Sequence, residues 1–428
     1  MRWLIFSLVV AAIGLKDVLL FGFFRSAIRS RLAGPARSAA VAALAGLFVV
    51  MNIPIVLLIL GQGRNALPSG DGWAAFYSYG VNVWHLLGVV LAVGWGLFAL
   101  GRMLLTLPRR MLGPAAPAMP TPADEPAEPA TLTRRRLLAD AAVATPALLW
   151  LGGTSAAVAE RGRFAVTRLD LTLPGLPPAL RGMTIAQISD LHIGWLAEQK
   201  LLDPMVEAVA DLRADLVVMT GDLVHNDLTP LPECLAALRQ LPARVGVFAC
   251  MGNHDYIQDG EEFIRRVRAA DIHGQGDDFL LINRSLRLRH NGAEFVLGGA
   301  DWVREDAGHA EAIARTFADA PEGATKILLA HHPHAFDAAA DAGVALTLSG
   351  HTHGGQFVFH RADGPAPVRG GAECLTGPTA SPGSLMYRYV SGLYRKGGGS
   401  LLYVNRGLGN WFPLRINCPA ELTLITLS

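Results

Sequence analysis

The chain has 428 residues, of which 51% are hydrophobic and only 17% charged, and its mean hydropathy is +0.33. That balance excludes an ordinary water-soluble enzyme along its whole length and requires membrane segments. A net charge of +1 offers no basic field for nucleic acid, and the length leaves room for two or three domains. The four cysteines, Cys234, Cys250, Cys374 and Cys418, have no Cys-x-x-Cys spacing, which argues against a zinc ribbon. A Cys374–Cys418 disulfide is left open.

Residues 1–110 hold three apolar stretches, near 3–24, 38–61 and 81–106, each long enough to span a bilayer. The first loop carries Arg25, Arg29, Arg31 and Arg37, and the second only Arg64 and Asp71. Arg109, Arg110 and the triplet Arg134-Arg135-Arg136 come after the third stretch. Basic loops stay in the cytoplasm, so the amino terminus is expected outside, the first loop inside, the second outside and the triplet inside. Lys16 and Asp17 fall within the first span, as a neutralising pair, a helix end or a functional site. Pro54 is expected to kink the second span, with Asn52 close enough to bond a freed carbonyl. His85, in the third, reads as structural. Residues 111–132 form a Pro/Ala-rich linker. Residues 133–160 have two readings: a fourth transmembrane helix, or a twin-arginine-like signal with a cleavage site at Ala157-Val158-Ala159. Both carry the residues after 160 out of the cytoplasm.

From residue 161 to 428 charge density rises and the pattern changes. Strands are expected over 164–173, 183–189, 216–220 and 245–251, with helices over 201–212, 230–240 and 261–270 between and after them. A hairpin region over 279–288 and 295–299 comes next, then a helix near 308–319, a strand over 326–330, a short helix and a strand over 344–348. Strands alternating with helices give an α/β domain. Strands over 401–405 and 422–427 are expected to close the sheet.

Five of these apolar strands end in ligand-type residues. They are Asp190 and His192, then Asp222, then Asn253, then His331, then His351 and His353. The carboxyl ends of strands are where α/β sheets place ligands, and five such endings with His, Asp and Asn mixed do not arise from packing alone. The donor mixture points to two divalent metals about 3.5–4 Å apart, able to clamp both oxygens of a phosphoryl transfer. One carboxylate must then bridge the ions. Imidazoles suit Zn, Fe or Mn and argue against a magnesium-only enzyme.

The elements Asp190-x-His192, Gly221-Asp222, Gly252-Asn253-His254-Asp255, Ala330-His331-His332-Pro333 and Gly350-His351-x-His353, in this order, resemble the calcineurin-like metallophosphoesterase family over about 180–428. Gly354-Gly355-Gln356 and the run from Arg415 to Pro419 look like its membrane-associated or exported subgroup. The resemblance implies a metallophosphoesterase-type layered β-sandwich flanked by helices, preceded here by an all-α transmembrane segment of three to four helices. It implies a first metal held by Asp190, His192 and His353 and a second by Asn253, His331 and His351. Asp222 would bridge them, a bridging hydroxide would attack phosphorus, and His254, oriented by Asp255, would act as general acid. The cofactors would be two divalent ions, Mn, Zn or Fe.

The implied protein is a multi-pass cell-membrane hydrolase with its catalytic domain outside the cytoplasm. Its substrate would be a phosphodiester or pyrophosphate, lipid-linked or envelope-linked, with no nucleic acid and no protein partner. Arg406 and Arg415 are candidates for clamping phosphate, with a structural salt bridge as the alternative, and His225 for lining the cleft. His332 and His334 are expected beside the ligands or at the surface, and His273, His290, His309 and His360 in solvent. Asn410-Trp411-Phe412-Pro413-Leu414 reads either as packing beneath the last strands or as an apolar rim that dips into lipid. The competing function is a membrane-bundle scaffold or envelope-remodelling protein with an accessory phosphoesterase domain. A protein-phosphatase role is disfavoured because no long docking insertion is visible.

Overall fold

The computed structural model describes residues 2–59, 72–111, 134–194, 199–412 and 414–428. They form two compact units, Met1–Ala159 and Glu160–Ser428.

The first unit holds helices α1 (Arg2–Arg31), α2 (Gly34–Ile59), α3 (Trp73–Met111) and α4 (Arg134–Ala159). Three segments are long and apolar enough to cross a membrane: Gly34–Leu57, Trp73–Leu104 and Arg136–Ala159. The first two include most of the expected spans. The third is the segment that the sequence left between span and signal, and it is one helix through Pro146. Among the described residues α1, expected to span at 3–24, is not one of the three. Its Lys16 is only 2% exposed. The ammonium lies 2.6 Å from Asp17 Oδ1 and donates to His85 Nδ1 at 3.1 Å. That fixes the tautomer in which His85 Nε2 donates to the Met51 carbonyl, 3.1 Å away. Asn52 Nδ2 bonds the Phe48 carbonyl at 2.8 Å, not the Val50 carbonyl that Pro54 leaves free, which accepts from the Tyr77 hydroxyl at 2.7 Å instead. Arg64, Asp71 and the linker at 111–132, apart from Met111 at the end of α3, lie outside the described residues.

The second unit runs β1 (Ala165–Leu171), β2 (Thr184–Ile188), α5 (Leu202–Leu212), β3 (Leu216–Met219), α6 (Leu231–Leu238), β4 (Gly246–Cys250), α7 (Gly260–Ala269) and β5 (Leu280–Leu281). The hairpin β6 (Arg284–His290) and β7 (Ala293–Gly299) leads to α8 (His309–Thr316), β8 (Lys326–Leu329), α9 (Ala335–Asp341) and β9 (Leu346–Ser349). Short pieces come next: β10 (His360–Arg361), β11 (Ala366–Val368), β12 (Ala372–Cys374), β13 (Thr379–Ala380) and the one-turn helix α10 (Gly383–Met386). The chain ends with β14 (Gly392–Lys396), β15 (Ser400–Val404) and β16 (Glu421–Leu427).

One six-stranded sheet has the order β1-β16-β2-β3-β4-β5, and one eight-stranded sheet the order β11-β12-β14-β15-β9-β8-β7-β6. The middle of each is parallel: β2, β3, β4 and β5 in the first, and β7, β8, β9 and β15 in the second. The last two strands therefore do not close a single sheet, as expected from sequence; each joins a different one. Strand alternation explains the layers. In the first sheet Ile185, Leu216, Val218 and Phe248 face Phe295, Leu297, Ile327, Leu329, Leu346 and Leu348 of the second, making the central core. Ala186, Ile188, Val217, Met219 and Ala249 point the other way, onto α5, α6 and α7. Val296 and Leu328 do the same beneath α8 and α9. Two sheets back to back with helices outside form the layered α/β sandwich, and β2, β3, β4, β8 and β9 all end at one edge of it.

All four cysteines are buried and free, so the possible Cys374–Cys418 disulfide is absent. The sulfur of Cys418 instead sits 3.4 Å from the His353 carbonyl. His309, expected in solvent, is 4% exposed because it begins α8 on its packed face. Phe295 is fully buried between the sheets. Phe295→Ala is expected to destabilise this unit by about 3–5 kcal/mol, read from the shift of its urea midpoint.

Candidate metal centre

The strand ends deliver their side chains through strained backbone. Asp190 (φ 52°), His192 (φ 47°), Asp222 (φ 56°), His351 (φ 70°) and His353 (φ 49°) are all left-handed. For non-glycine residues this conformation costs about 1–3 kcal/mol each and clusters at functional sites. The surrounding glycines permit it. A Cβ on Gly350 would collide with Ser189 Oγ and Asp190 Oδ2, so the turn after β9 can close over the Asp190 carboxylate only as glycine. Asp190 then accepts the His351 backbone N–H at 3.0 Å.

The seven expected ligands come together. Around Asp190, the Nε2 atoms of His192 and His353 are 3.0 Å apart, and Asp190 Oδ1 is 3.4 Å from His353 Nε2 and 3.9 Å from His192 Nε2. Around Asp222, Oδ2 lies 3.2 Å from His331 Nε2, which is 3.2 Å from His351 Nδ1 and 3.1 Å from Asn253 Oδ1. Asp222 Oδ2 is also 3.5 Å from His192 Nε2, so one oxygen touches both groups. Each set of Asp and His donors converges closely enough to hold a metal ion. Ligand bonds of about 2.1 Å place neighbouring donor atoms about 3.0–3.4 Å apart in octahedral or tetrahedral shells, which the spacings fit except those from His192 Nε2 to Asp190 Oδ1 (3.9 Å) and Asp222 Oδ2 (3.5 Å). The chemistry fits too, since imidazole nitrogens with carboxylate and amide oxygens suit Zn, Fe or Mn.

Two of the four candidate rings meet a possible acceptor on their far side, as ligating imidazoles require, while His353 meets a donor. His331 Nδ1 donates to the Thr220 carbonyl at 2.7 Å, and His192 Nδ1 meets His225 Nδ1 at 3.2 Å. His353 Nδ1 faces the Arg415 guanidinium at 3.4 Å. Burial keeps the His192 and His353 imidazoles well below their usual range, hence neutral with lone pairs available. Burial also pushes Asp190 up to about 6, with His331 opposing and Asp222 adding to the rise. Asp222 behaves oppositely: burial would raise it, but His331, then His192 and His254, hold it well below the usual carboxylate range. Asp222 is therefore the committed anion at the centre.

The structure corrects the expectations for Asp255 and His225 and gives Arg406 and Arg415 a structural role rather than a phosphate clamp. Asp255 does not orient His254. Its two oxygens accept the backbone N–H groups of Asp222 (3.0 Å), Gly252 (2.9 Å), Leu223 (2.9 Å) and Val224 (3.4 Å), donors that two buried turns would otherwise leave unpaired. The ring of His254 is fixed instead by the His225 carbonyl, which accepts from Nδ1 at 2.6 Å. His225 is buried rather than lining the cleft, its ring stacked on His254. A third potential ligand group, His192, His225 and His254, adjoins these two; the Nδ1 atoms of His192 and His225 face each other, and that of His254 is taken by the His225 carbonyl. Arg406 pairs with buried Glu421 through Nε at 2.7 Å. Arg415 places its donors on Asn410 Oδ1 and on the carbonyls of Arg406, Gly407, Gly409 and Cys418, holding the loop before β16. Neither guanidinium is free for phosphate.

Sequence reasoning missed Trp302 and Tyr387, whose rings pack against His351 at 5.1 and 5.2 Å. Trp302 had a signal: β7 is a further apolar strand at the same edge, followed by Asp301-Trp302, and Asp301 is fixed there by the Tyr256 hydroxyl at 2.6 Å. Tyr387 had none, since it comes after the one-turn α10 in a stretch without periodicity.

Residues 183–355, which contain all seven donors, match the family model of calcineurin-like phosphoesterases. The chain carries a calcineurin-like phosphoesterase domain. It is 27% identical over 271 residues to a transmembrane protein with metallophosphoesterase domain from Bos taurus, covering 61% of this chain and 57% of that one. An uncharacterized metallophosphoesterase of Campylobacter jejuni is 28% identical over 264 residues, covering 61% and 63%. The UDP-2,3-diacylglucosamine pyrophosphatase LpxG of Chlamydia trachomatis is 26% identical over 332 residues, covering 66% of this chain and 94% of that one. The bovine and Campylobacter relatives are thus matched over less than two thirds of their own length.

The four bonds at Asp255 give the phosphoesterase domain a specific test. Asp255→Ala is expected to lower stability by about 3 kcal/mol or more, because it leaves buried N–H groups unpaired. It should also reduce bound metal measured by elemental analysis, while the pH profile of the residual activity keeps its shape.

Proposed function

We propose that the domain hydrolyses a phosphodiester or pyrophosphate bond of a lipid-linked or envelope-linked substrate, using two divalent metal ions. The observation that carries this reading is Asp222 Oδ2, within 3.5 Å of His192 Nε2 and 3.2 Å of His331 Nε2. A single buried carboxylate oxygen shared between two donor groups suits a pair of ions and has no use in a single-metal structural site. Asp190, His192 and His353 would hold one ion, Asn253, His331 and His351 the other, and Asp222 both. When bound, such ions polarise phosphoryl oxygens and acidify water.

The chain's own residues supply the remainder. His254 gives its Nδ1 proton to the His225 carbonyl, so Nε2 is the atom that exchanges protons and can deliver one to the leaving oxygen. Asn253 contributes a neutral oxygen, which limits negative charge where an anionic ester must bind. Trp302 and Tyr387 wall the His351 side and keep that ring in place. Lipid linkage is supported by the substrate in the name of the chlamydial relative and by the apolar helices of the first unit. Basic residues in the first loop and before α4 favour a multi-pass cell-membrane protein with the domain outside the cytoplasm.

His351→Ala and His353→Ala are each expected to lose one ion, and a different one, by elemental analysis with anomalous scattering to locate the ion that remains. Asp222→Ala should lose both, and equal loss from both histidine variants would refute the division of ligands. His254→Ala should keep its metal and lose about 10²–10⁴-fold in kcat on an aryl phosphodiester.

A further inference from the structure

The turn that carries His351 and His353 also builds a surface that catalysis does not use. Its last residue, Gln356, clasps the loop before β16: Nε2 donates to the Phe412 carbonyl at 2.9 Å, and Oε1 accepts the Phe412 N–H at 3.2 Å. Phe357 packs on the Phe412 ring at 5.7 Å and pairs along the backbone with Ile416. Phe359 comes two residues later, its N–H bonded to the Ala380 carbonyl, and α10 lies against Gly355. Large apolar side chains stand out from this scaffold into the surroundings: Phe359 (73% exposed), Leu385 (90%), Met386 (74%), Trp411 (51%) and Ile416 (41%). Packing beneath the last strands is therefore not what Trp411 does. Pro413 of the same loop lies outside the described residues.

An exposed apolar group of this size needs an occupant, and the chain's own connectivity supplies one. The unit begins directly after α4, whose segment Arg136–Ala159 is apolar enough to cross a membrane. Only residues 160–164 precede β1, a tether of at most about 18 Å. Ala165, where the tether enters, pairs with Glu421, and its N–H bonds the Ala420 carbonyl at 2.8 Å. Ala420 lies four residues beyond Ile416. The rim and the tether thus share one edge of the unit, and exposed Arg361, two residues from Phe359, suits anionic headgroups.

We propose that Phe359, Leu385, Met386, Trp411 and Ile416 form a membrane-contacting rim. These side chains lie in the interfacial layer of the bilayer to which the chain is tethered. The convex one-turn tip at Leu385-Met386 suits insertion into lipid rather than a groove of another protein. The rim rests on the phosphoesterase reading in one respect only: there it lets a lipid's phosphate reach the histidine cleft while its acyl chains stay in the bilayer.

The test uses the full chain in vesicles of phosphatidylethanolamine and phosphatidylglycerol, with an environment-sensitive dye on a Leu385→Cys variant; the four native cysteines are buried. Lipid contact is expected to shift the emission to the blue, with quenching by nitroxide-labelled phospholipid and protection from aqueous iodide. Quenching by iodide alone overturns the proposal. So does a blue shift that ignores the lipid nitroxide and grows with protein concentration, the signature of a second copy. In the pair Leu385→Ser/Met386→Ser, turnover of a bilayer-embedded lipid pyrophosphate relative to a soluble aryl phosphodiester is expected to fall about ten-fold. An unchanged ratio overturns the delivery role. If the unsubstituted chain cleaves neither ester yet the dye reports lipid, the rim stands and the phosphoesterase reading falls.

Discussion

The hydrogen bond from the His351 amide to the Asp190 carboxylate is the joint on which the centre depends. Asp190 lies just past a strand of one sheet and His351 just past a strand of the other; the carboxylate is fully buried and the histidine partly so. A short chain of polar contacts leads to it. Gln187 donates to Thr220 and to the Ser349 carbonyl, Thr220 donates to Ser189, and Ser189 donates to Asp190. Polar groups buried in this way are costly when unpaired, and here all the donors named are paired while Gln187 Oε1 is not. Their pairing locks the edges of two sheets in register, and it lets donors from five strands converge within ångströms. Without that lock, each ligand would be correct in type and wrong in place.

Rigidity at this joint explains why the backbone can hold five candidate ligands in left-handed conformations. The strain is local, and it is balanced by the two-sided core and by glycines that admit the carboxylates. Electrostatics then sorts two chemically identical aspartates into different roles. Asp222, bonded to His331 and near His192, stays ionised. Asp190, bonded to a hydroxyl and an amide, is the weaker acid. Burial opposes a charge on His331, yet Asp222 raises it to about 9, so a metal ion binding here would have to displace that proton, whereas the His192 and His353 imidazoles are already neutral.

Much of this was legible in the sequence because strand ends are local. An apolar run followed by Asp-x-His or Gly-Asp needs no tertiary information, and the helices and strands from β1 to β9 lie within a few residues of their expected limits, except that the run expected over 279–288 is split into β5 and β6 of different sheets. What failed was long-range. The assignment of β15 and β16 to separate sheets depends on pairing across hundreds of residues. The strands β11, β12 and β14 are too short and too interrupted by Gly and Pro to carry a period. The role of Asp255 was misjudged, and that of Arg415 left open, for a common reason: the sequence displays charged side chains but hides the backbone donors and acceptors that claim them. The histidine pair at His351 and His353 was legible as a metal motif. The structure adds that Gln356 extends the same turn into a clasp on the Trp411 loop.

The four free cysteines have a consequence for how the protein is made. Packed against carbonyls and apolar side chains, with burial pushing the Cys234 thiol up to about 12, they are poor nucleophiles and contribute as small core residues. The unit's stability owes nothing to covalent cross-links. It can therefore reach its native packing under reducing conditions as readily as under oxidising ones, and its maturation makes no demand on the thiol chemistry of the compartment where it works.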